Sequence, residues 1–138
     1  MRRLLLAALV LLTTATQAPA ADAEGGLFGV WRNPHNTVHL EIRPCGGSAC
    51  GYVVWAAPKA QADARRGSGK ELIGQQLLRD FAPTDRGWRG KVFVPDLNVT
   101  LGGAVRPLDG EHLQAKGCLI SGLLCKSQVW SRVAPAAS

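Results

Sequence analysis

The residues of this chain best suited to chemistry are four cysteines in two close pairs, Cys45 with Cys50 and Cys118 with Cys125. In an oxidising compartment, cysteines that flank a hairpin turn form a disulfide across it. Four cysteines allow three pairings, and a crossed pairing would join the two hairpins instead. Neither spacing fits a structural zinc pattern or the redox motif C-x-x-C. The sequence therefore predicts two local disulfides and no metal site.

The remaining candidates for catalysis are histidines and loop carboxylates. His39 and His112 fall on the polar faces of predicted strands, and Asp63, Asp85 and Asp96 fall in predicted loops or turns. Nothing in the sequence pairs two of these carboxylates, and no nucleophile elbow, phosphate loop or dinucleotide fingerprint is present. We predict no cofactor. An enzyme that uses loop carboxylates, with Asp63 foremost, stays open as an alternative.

The first residues have the features of a secretory signal peptide: a basic start, a short apolar run and A-x-A cleavage sites ending at Ala20 and Ala23. The apolar run, residues 4–12, is far shorter than the roughly 20 residues of a membrane span. We therefore expect a periplasmic or secreted protein without an integral membrane segment. The predicted boundaries are 1–23 for the signal peptide, 24–133 for a single domain and 134–138 for a flexible tail.

The chain is basic, with a formal net charge of +6. Apart from Arg65 and Arg66, and from Arg2 and Arg3 in the predicted signal peptide, the basic residues are scattered along the sequence. A nucleic-acid interface would gather them on one face beside exposed aromatic residues. We therefore predict no nucleic-acid partner, and at most a mild attraction to anionic envelope surfaces.

Polar and apolar residues alternate in most of the chain, which is typical of half-buried strands. The clearest case is Thr37–Arg43, where Val38, Leu40 and Ile42 share one face, and Gly51–Trp55 is its return strand in a hairpin. Five further strands are predicted at 27–31, 88–94, 97–105, 111–118 and 126–133. Seven strands with regular turns favour an antiparallel barrel or sandwich.

Two segments between these strands have a different composition. Residues 56–70 consist of Ala, Pro, Lys, Gln, Asp, Arg, Gly and Ser, which predicts a long surface loop. Residues 71–78 are apolar at positions 72, 73, 77 and 78, which predicts a short helix weakened by Gly74.

A glycine and a tryptophan near the predicted mature start, Gly29-Val30-Trp31, and the late basic residue Arg132 are similar to the lipocalin and calycin arrangement. That resemblance implies that Trp31 lies at the closed end of a barrel under a late arginine, with the first and last strands adjacent. Arg132 is the predicted partner, and Arg32 is the alternative. A guanidinium over an indole ring contributes about 0.5–2 kcal/mol when partly desolvated.

The order of motifs along residues 27–133 resembles the family called domain of unknown function 2147. The matching stretches are Gly29-Val30-Trp31, the C-G-x-x-x-C-G hairpin at 45–51 with its aliphatic-Trp strand, Gly74 to Leu78, Trp88 to Phe93, and Gly117-Cys118 through Arg132. The resemblance implies a small exported bacterial protein with a lipocalin-like barrel that binds a small molecule. The fold prediction is thus all-β, mainly antiparallel: a small lipocalin-like β-barrel with one short helix.

The predicted ligand is a small, mainly apolar molecule of fatty-acyl size. A sugar or nucleotide is disfavoured because the predicted interior offers no cluster of charges or hydroxyl groups. One alternative is an envelope interaction or structural module whose barrel is filled by its own side chains. The candidate aromatic contacts are Tyr52, Trp55, Trp88 and Phe93, and the predicted interior residues are Val38, Leu40, Ile42, Val99 and Leu101.

Overall fold

The computed structural model of the protein describes residues 26–120 and 123–133, so the predicted signal peptide and C-terminal tail lie outside the described residues. Within them the chain forms eight strands and one helix, which confirms the predicted all-β class with a short helix. The strands are β1 (Gly29–Arg32), β2 (Val38–Cys45), β3 (Ser48–Ala56), β4 (Gln76–Thr84), β5 (Gly87–Val94), β6 (Val99–Pro107), β7 (His112–Cys118) and β8 (Cys125–Arg132). The helix, α1, spans Pro58–Ser68.

The eight strands close into a barrel in simple chain order. Each strand pairs antiparallel with the next, and β8 returns to pair with β1 through Trp31 opposite Arg132. Closure removes the unpaired sheet edges that would otherwise expose backbone hydrogen-bonding groups. The predicted antiparallel barrel, with its first and last strands adjacent, is confirmed.

The predicted surface loop at 56–70 is wrong, because most of it forms α1. Only Ala64 of this helix is buried, so the segment lacks the apolar stripe by which a helix is recognised in a sequence. Local signals support the helix instead. Pro58 occupies its first turn, Lys59 pairs with Asp63 one turn later, and Gly69 ends it in the left-handed conformation.

The predicted helix at 71–78 is also wrong, since its second half begins β4. Leu78 sits opposite Gly51 of β3 and Val92 of β5, on the face that points into the barrel. This burial outweighs the weak helical spacing of the segment, because tertiary contacts override local propensity. β4 is the eighth strand, one more than the sequence predicted.

The two ends of the barrel differ in how they are filled. The closed end carries the β2–β3, β4–β5 and β6–β7 turns and the entering segment 26–28, while the mouth carries α1 and the β5–β6 and β7–β8 turns. Towards the closed end, the ring of Phe81 is fully buried against the backbones of Gly90 and Gly103. A β-carbon on either glycine would meet this ring or its neighbours, so both positions leave the space that Phe81 occupies.

Candidate ligand-binding cavity

Above this packed end the barrel encloses a cavity of about 500 Å³. Its lining is predominantly apolar and comes from strands all around the barrel, because alternate residues of each strand point inward. The cavity opens at the mouth, where the side chains of Leu97, Leu119 and Leu124 are exposed. The other apolar side chains of the lining include Trp31, Leu40, Ile42, Leu77, Leu78, Val92, Val94, Leu101, Val105, Leu113 and Trp130.

The lower part of the cavity is closed by Trp31, which is fully buried. Its indole Nε1 donates a hydrogen bond of 2.9 Å to the carbonyl oxygen of Leu27. The guanidinium of Arg132 covers the ring, with its carbon 4.2 Å from the ring centroid. The structure thus has the Trp31–Arg132 arrangement that the sequence predicted.

Arg132 also ties three chain segments together at the closed end. Its Nη1 and Nη2 donate to the carbonyl oxygens of Phe28 and Gly26, at 2.8 and 2.7 Å, and its Nε donates to that of Gly110 at 2.7 Å. Hydrogen bonds from a charged donor are stronger than neutral ones, so this side chain contributes more than its contact with the indole ring.

Gly29 is required by this closure for two reasons. Its φ of 131° lies where residues with a β-carbon are strained, and a β-carbon there would collide with Nη1 of Arg132. The glycine of the G-x-W motif therefore makes room for the arginine over the tryptophan.

Charged and polar residues occur at the mouth, contrary to the interior that the sequence predicted. Lys126 and Gln128 of β8 and Asp96 of the β5–β6 turn contribute to the lining. Lys126 lies opposite Gly117 of β7, which also lines the cavity. The signal was present in the sequence, because counting back in twos from inward-facing Trp130 gives positions 128 and 126.

The predicted interior is correct for three of its five residues. Leu40, Ile42 and Leu101 line the cavity. Val38 packs against the buried core and Val99 is half-buried at the end of β6, but neither is part of the lining. A shift of register between residues 39 and 40 interrupts the alternation that the sequence interpretation assumed for β2.

Two of the predicted aromatic contacts are on the outward face of the barrel wall, where Tyr52 is half-buried and Phe93 is buried. Tyr52 is opposite Glu41, on the face away from the cavity, with the guanidinium of Arg43 4.0 Å from its ring centroid. Phe93 alternates with lining residues on β5 and is covered from outside by Lys70 and Arg79. Neither side chain lines the cavity.

The other two predicted aromatic residues, Trp55 and Trp88, also lie outside the lining. Trp55 is 41% exposed beside His39, with their ring centroids 4.6 Å apart. Trp88 is half-buried and packs edge-on against Phe28 at 6.0 Å, near the closed end. Contact between a ligand and any of the four aromatic residues stays a prediction, whereas Trp31 and Trp130 are the tryptophans that border the cavity.

The structure gives little support to the alternative of an enzyme that uses Asp63. Asp63 lies on α1 rather than in a loop, where it pairs with Lys59 and Arg66. The hydrogen bond from Lys59 is the main cause that lowers the pKa of Asp63, so this carboxylate stays ionised and is a poor proton donor. Among residues 26–120 and 123–133, no group of three or more His, Cys, Asp or Glu side chains is arranged to hold a metal ion.

Both predicted disulfides are present. Cys45–Cys50 ties the β2–β3 hairpin at the closed end, with its Cα atoms 5.7 Å apart. Cys118–Cys125 ties the β7–β8 hairpin at the mouth, with its Cα atoms 4.1 Å apart. Each end of the barrel is thus clamped once.

The family of the chain follows from the match of residues 29–132 to the family model described as "Uncharacterized protein conserved in bacteria (DUF2147)". The chain belongs to the DUF2147 family. No curated protein matches this DUF2147 chain. Its described part contains no helix with the length and apolar character needed to cross a bilayer.

This DUF2147 protein is similar in fold to a solved structure. It is protein HP1028 from the human pathogen Helicobacter pylori, described as belonging to the lipocalin family. The two structures superpose with a TM-score of 0.62 over 78% of this chain and 83% of that one, at 16% sequence identity. At this identity the likeness establishes the lipocalin-like fold alone.

Proposed function

We propose that this DUF2147 protein binds a small, mainly apolar molecule inside its barrel, with a single fatty-acyl chain as the preferred type. The apolar cavity of about 500 Å³ that opens between leucines at the mouth is the observation that carries the proposal. Its volume is within the range of about 300–1,000 Å³ usual for small-molecule sites. A structural module with a filled core has no need of such a space, so the cavity favours ligand binding over that alternative.

The polar residues at the mouth extend the proposal to the ligand's head group. An acyl chain among the leucines and valines would leave its carboxylate at the entrance, where water and the ammonium of Lys126 can solvate it. Asp96, which also contributes to the lining, would disfavour a carboxylate placed near it. We therefore expect a fatty acid to bind more tightly than the alcohol of the same length, and Lys126→Gln to remove that difference.

Export belongs to the same proposal. Two disulfides support an oxidising compartment as the site of action. The processed protein would begin at Ala21 or Glu24, after one of the two A-x-A sites. N-terminal sequencing of the periplasmic fraction tests this, and the unprocessed chain recovered only with membranes would contradict it.

A matched pair of glycines tests whether the cavity is the binding site. Gly117 lines the cavity, and a β-carbon there would make only ordinary contact with Leu101, at 3.6 Å. Gly102, on the neighbouring strand, has open space around the same position and lies outside the cavity lining. Gly117→Val therefore adds an isopropyl group to the cavity wall, while Gly102→Val adds one to the outer surface.

The measurement is titration with a fluorescent fatty acid, following quenching of the tryptophan emission, to which Trp31 and Trp130 at the cavity wall contribute. The parent protein and Gly102→Val should show saturable quenching at micromolar ligand, and Gly117→Val should bind at least about tenfold more weakly, provided it stays folded. Equal binding by both variants would place the ligand elsewhere. No binding by the parent protein at any acyl length would favour the interaction module.

A further inference from the structure

The tip of the β7–β8 hairpin is the most apolar part of the described surface. Between the two cysteines of the disulfide lie four exposed aliphatic residues. Leu119 and Ile120 directly follow Cys118, and Leu123 and Leu124 directly precede Cys125. Leu119 and Leu124 line the entrance of the cavity. Ile120 and Leu123 do not, and they are 70% and 66% exposed.

The backbone conformation of this tip does not favour aliphatic residues. Ile120 has a φ of 52° and Leu124 a φ of 56°, in the left-handed region where Gly or Asn is ordinarily found. A β-branched residue such as Ile is the least suited to this conformation. Aliphatic side chains at these two positions therefore lower the folding stability of the tip, which points to a role outside the fold.

The strands that support the tip carry only positive charge around it. Lys116 precedes the first cysteine of the disulfide by two residues, Lys126 directly follows the second, and both are exposed. The sequence from His112 to Val133 contains no Asp or Glu. The apolar tip is thus flanked by lysines without a neighbouring carboxylate on its own hairpin to neutralise them.

From these observations we infer that the β7–β8 tip docks the barrel on an anionic lipid bilayer, with Ile120 and Leu123 entering the interface and Lys116 and Lys126 contacting phosphate groups. A stable protein interface uses about 20–30 residues from each partner, far more than this tip presents. A bilayer accepts a small apolar projection without matching its shape, and lysines beside it add electrostatic attraction. Docking there would bring the entrance of the cavity to the lipid surface.

Co-sedimentation with vesicles tests this inference on the disulfide-intact protein. Vesicles of phosphatidylglycerol mixed with phosphatidylethanolamine should bind the protein, and phosphatidylcholine vesicles should bind it much less. Ile120→Ser combined with Leu123→Ser should weaken binding at least about tenfold, since both side chains leave the apolar phase. The matched control is Leu108→Ser in the β6–β7 turn at the opposite end, where Leu108 is 46% exposed, and it should bind like the parent protein.

A second set of variants measures the contribution of the lysine charges separately from that of the apolar tip. Lys116→Gln should weaken binding to the anionic vesicles about fivefold, and added salt should weaken binding of the parent protein. Arg86→Gln, in the β4–β5 turn at the closed end, is the control and should have no effect. Circular dichroism of each variant confirms that it is folded before its binding is compared.

Three results would overturn the inference: no binding of the parent protein to anionic vesicles, equal loss in the Leu108 control, or sedimentation equilibrium showing self-association that the tip substitutions abolish. The last result would identify the tip as a contact between copies of the chain. Because Ile120 and Leu123 do not line the cavity, the double variant should still bind a soluble fatty acid, so failure of this inference is distinguishable from failure of the proposed ligand site.

Discussion

Basic and apolar side chains lie together at both ends of this barrel, but the apolar partner is buried at the closed end and exposed at the mouth. At the closed end, a basic side chain and an aromatic ring meet: Arg132 covers fully buried Trp31 and donates hydrogen bonds to three backbone carbonyl oxygens. At the mouth, Leu97, Leu124 and Lys126 remain exposed and border an open cavity. The comparison indicates that buried side-chain packing is concentrated at the closed end, whereas the mouth presents apolar side chains to solvent.

The sharpest test of this division compares one apolar residue from each end. Trp31→Ala should lower the free energy of unfolding by about 3–5 kcal/mol, because it removes a buried ring and leaves a void under Arg132. Leu97→Ser at the mouth should change it by less than about 0.5 kcal/mol, because the side chain is already 67% exposed. Urea denaturation measures both, and similar losses would show that the mouth is also structural.

The two disulfides allow the second comparison. By the chain-entropy estimate, opening either short loop should cost about 2–2.5 kcal/mol. Cys45→Ser with Cys50→Ser and Cys118→Ser with Cys125→Ser should therefore have similar denaturation midpoints, although the clamps lie at opposite ends. Only the second pair should also weaken binding to vesicles, since it holds the hairpin tip. Loss of vesicle binding in the first pair would contradict the assignment of docking to the mouth.

Gly29→Ala adds a single methyl group beside Arg132 and so tests the packing of this arginine at the closed end. The substitution should lower the free energy of unfolding by about 1–3 kcal/mol, because it combines a strained φ with a collision against Arg132. Gly102→Ala, which faces open space at an unstrained φ, is the matched control and should be neutral or slightly stabilising. If Gly29→Ala were equally harmless, Arg132 could not hold the position described for it.

The smallest expected effect concerns pH at the closed end. Hydrogen bonds from the backbone of Glu111, then from the side chain of His112, lower the pKa of Asp109 in the β6–β7 turn. A carboxylate whose pKa is lowered by folding stabilises the protein above its unfolded pKa, and this contribution is lost as the pH falls through the lowered value. Stability should therefore decline below about pH 4. Asp109→Asn should flatten that part of the profile in denaturation series, and an unchanged profile would exclude this turn as its source.

Alternation of polar and apolar residues was enough to predict the hairpin of β2 and β3 and the four strands from β5 to β8, because period-two burial is a local property. It was not enough for α1 or β4. The helix has almost no apolar face, and the leucines of β4 follow a spacing that suits either structure until Leu78 meets Gly51 across the sheet. Leu40 and Ile42 were correctly predicted to face the interior, but the sequence left open whether that interior is hollow or filled. The charged entrance was missed because the residues of β8 were not assigned to the inward or outward face of the barrel.

By itself, the sequence determined the antiparallel class through its alternation, and the short spacing of its cysteines favoured the local pairs. The placement of Trp31 under Arg132 came from the resemblance to lipocalins. The tertiary structure decided the number of strands, the height at which Phe81 fills the barrel and the space left above it. Those features depend on which side chains meet from strands distant in the chain. This packing determines whether the interior of a barrel of this size is filled or hollow. No single segment of the sequence is therefore enough to predict it.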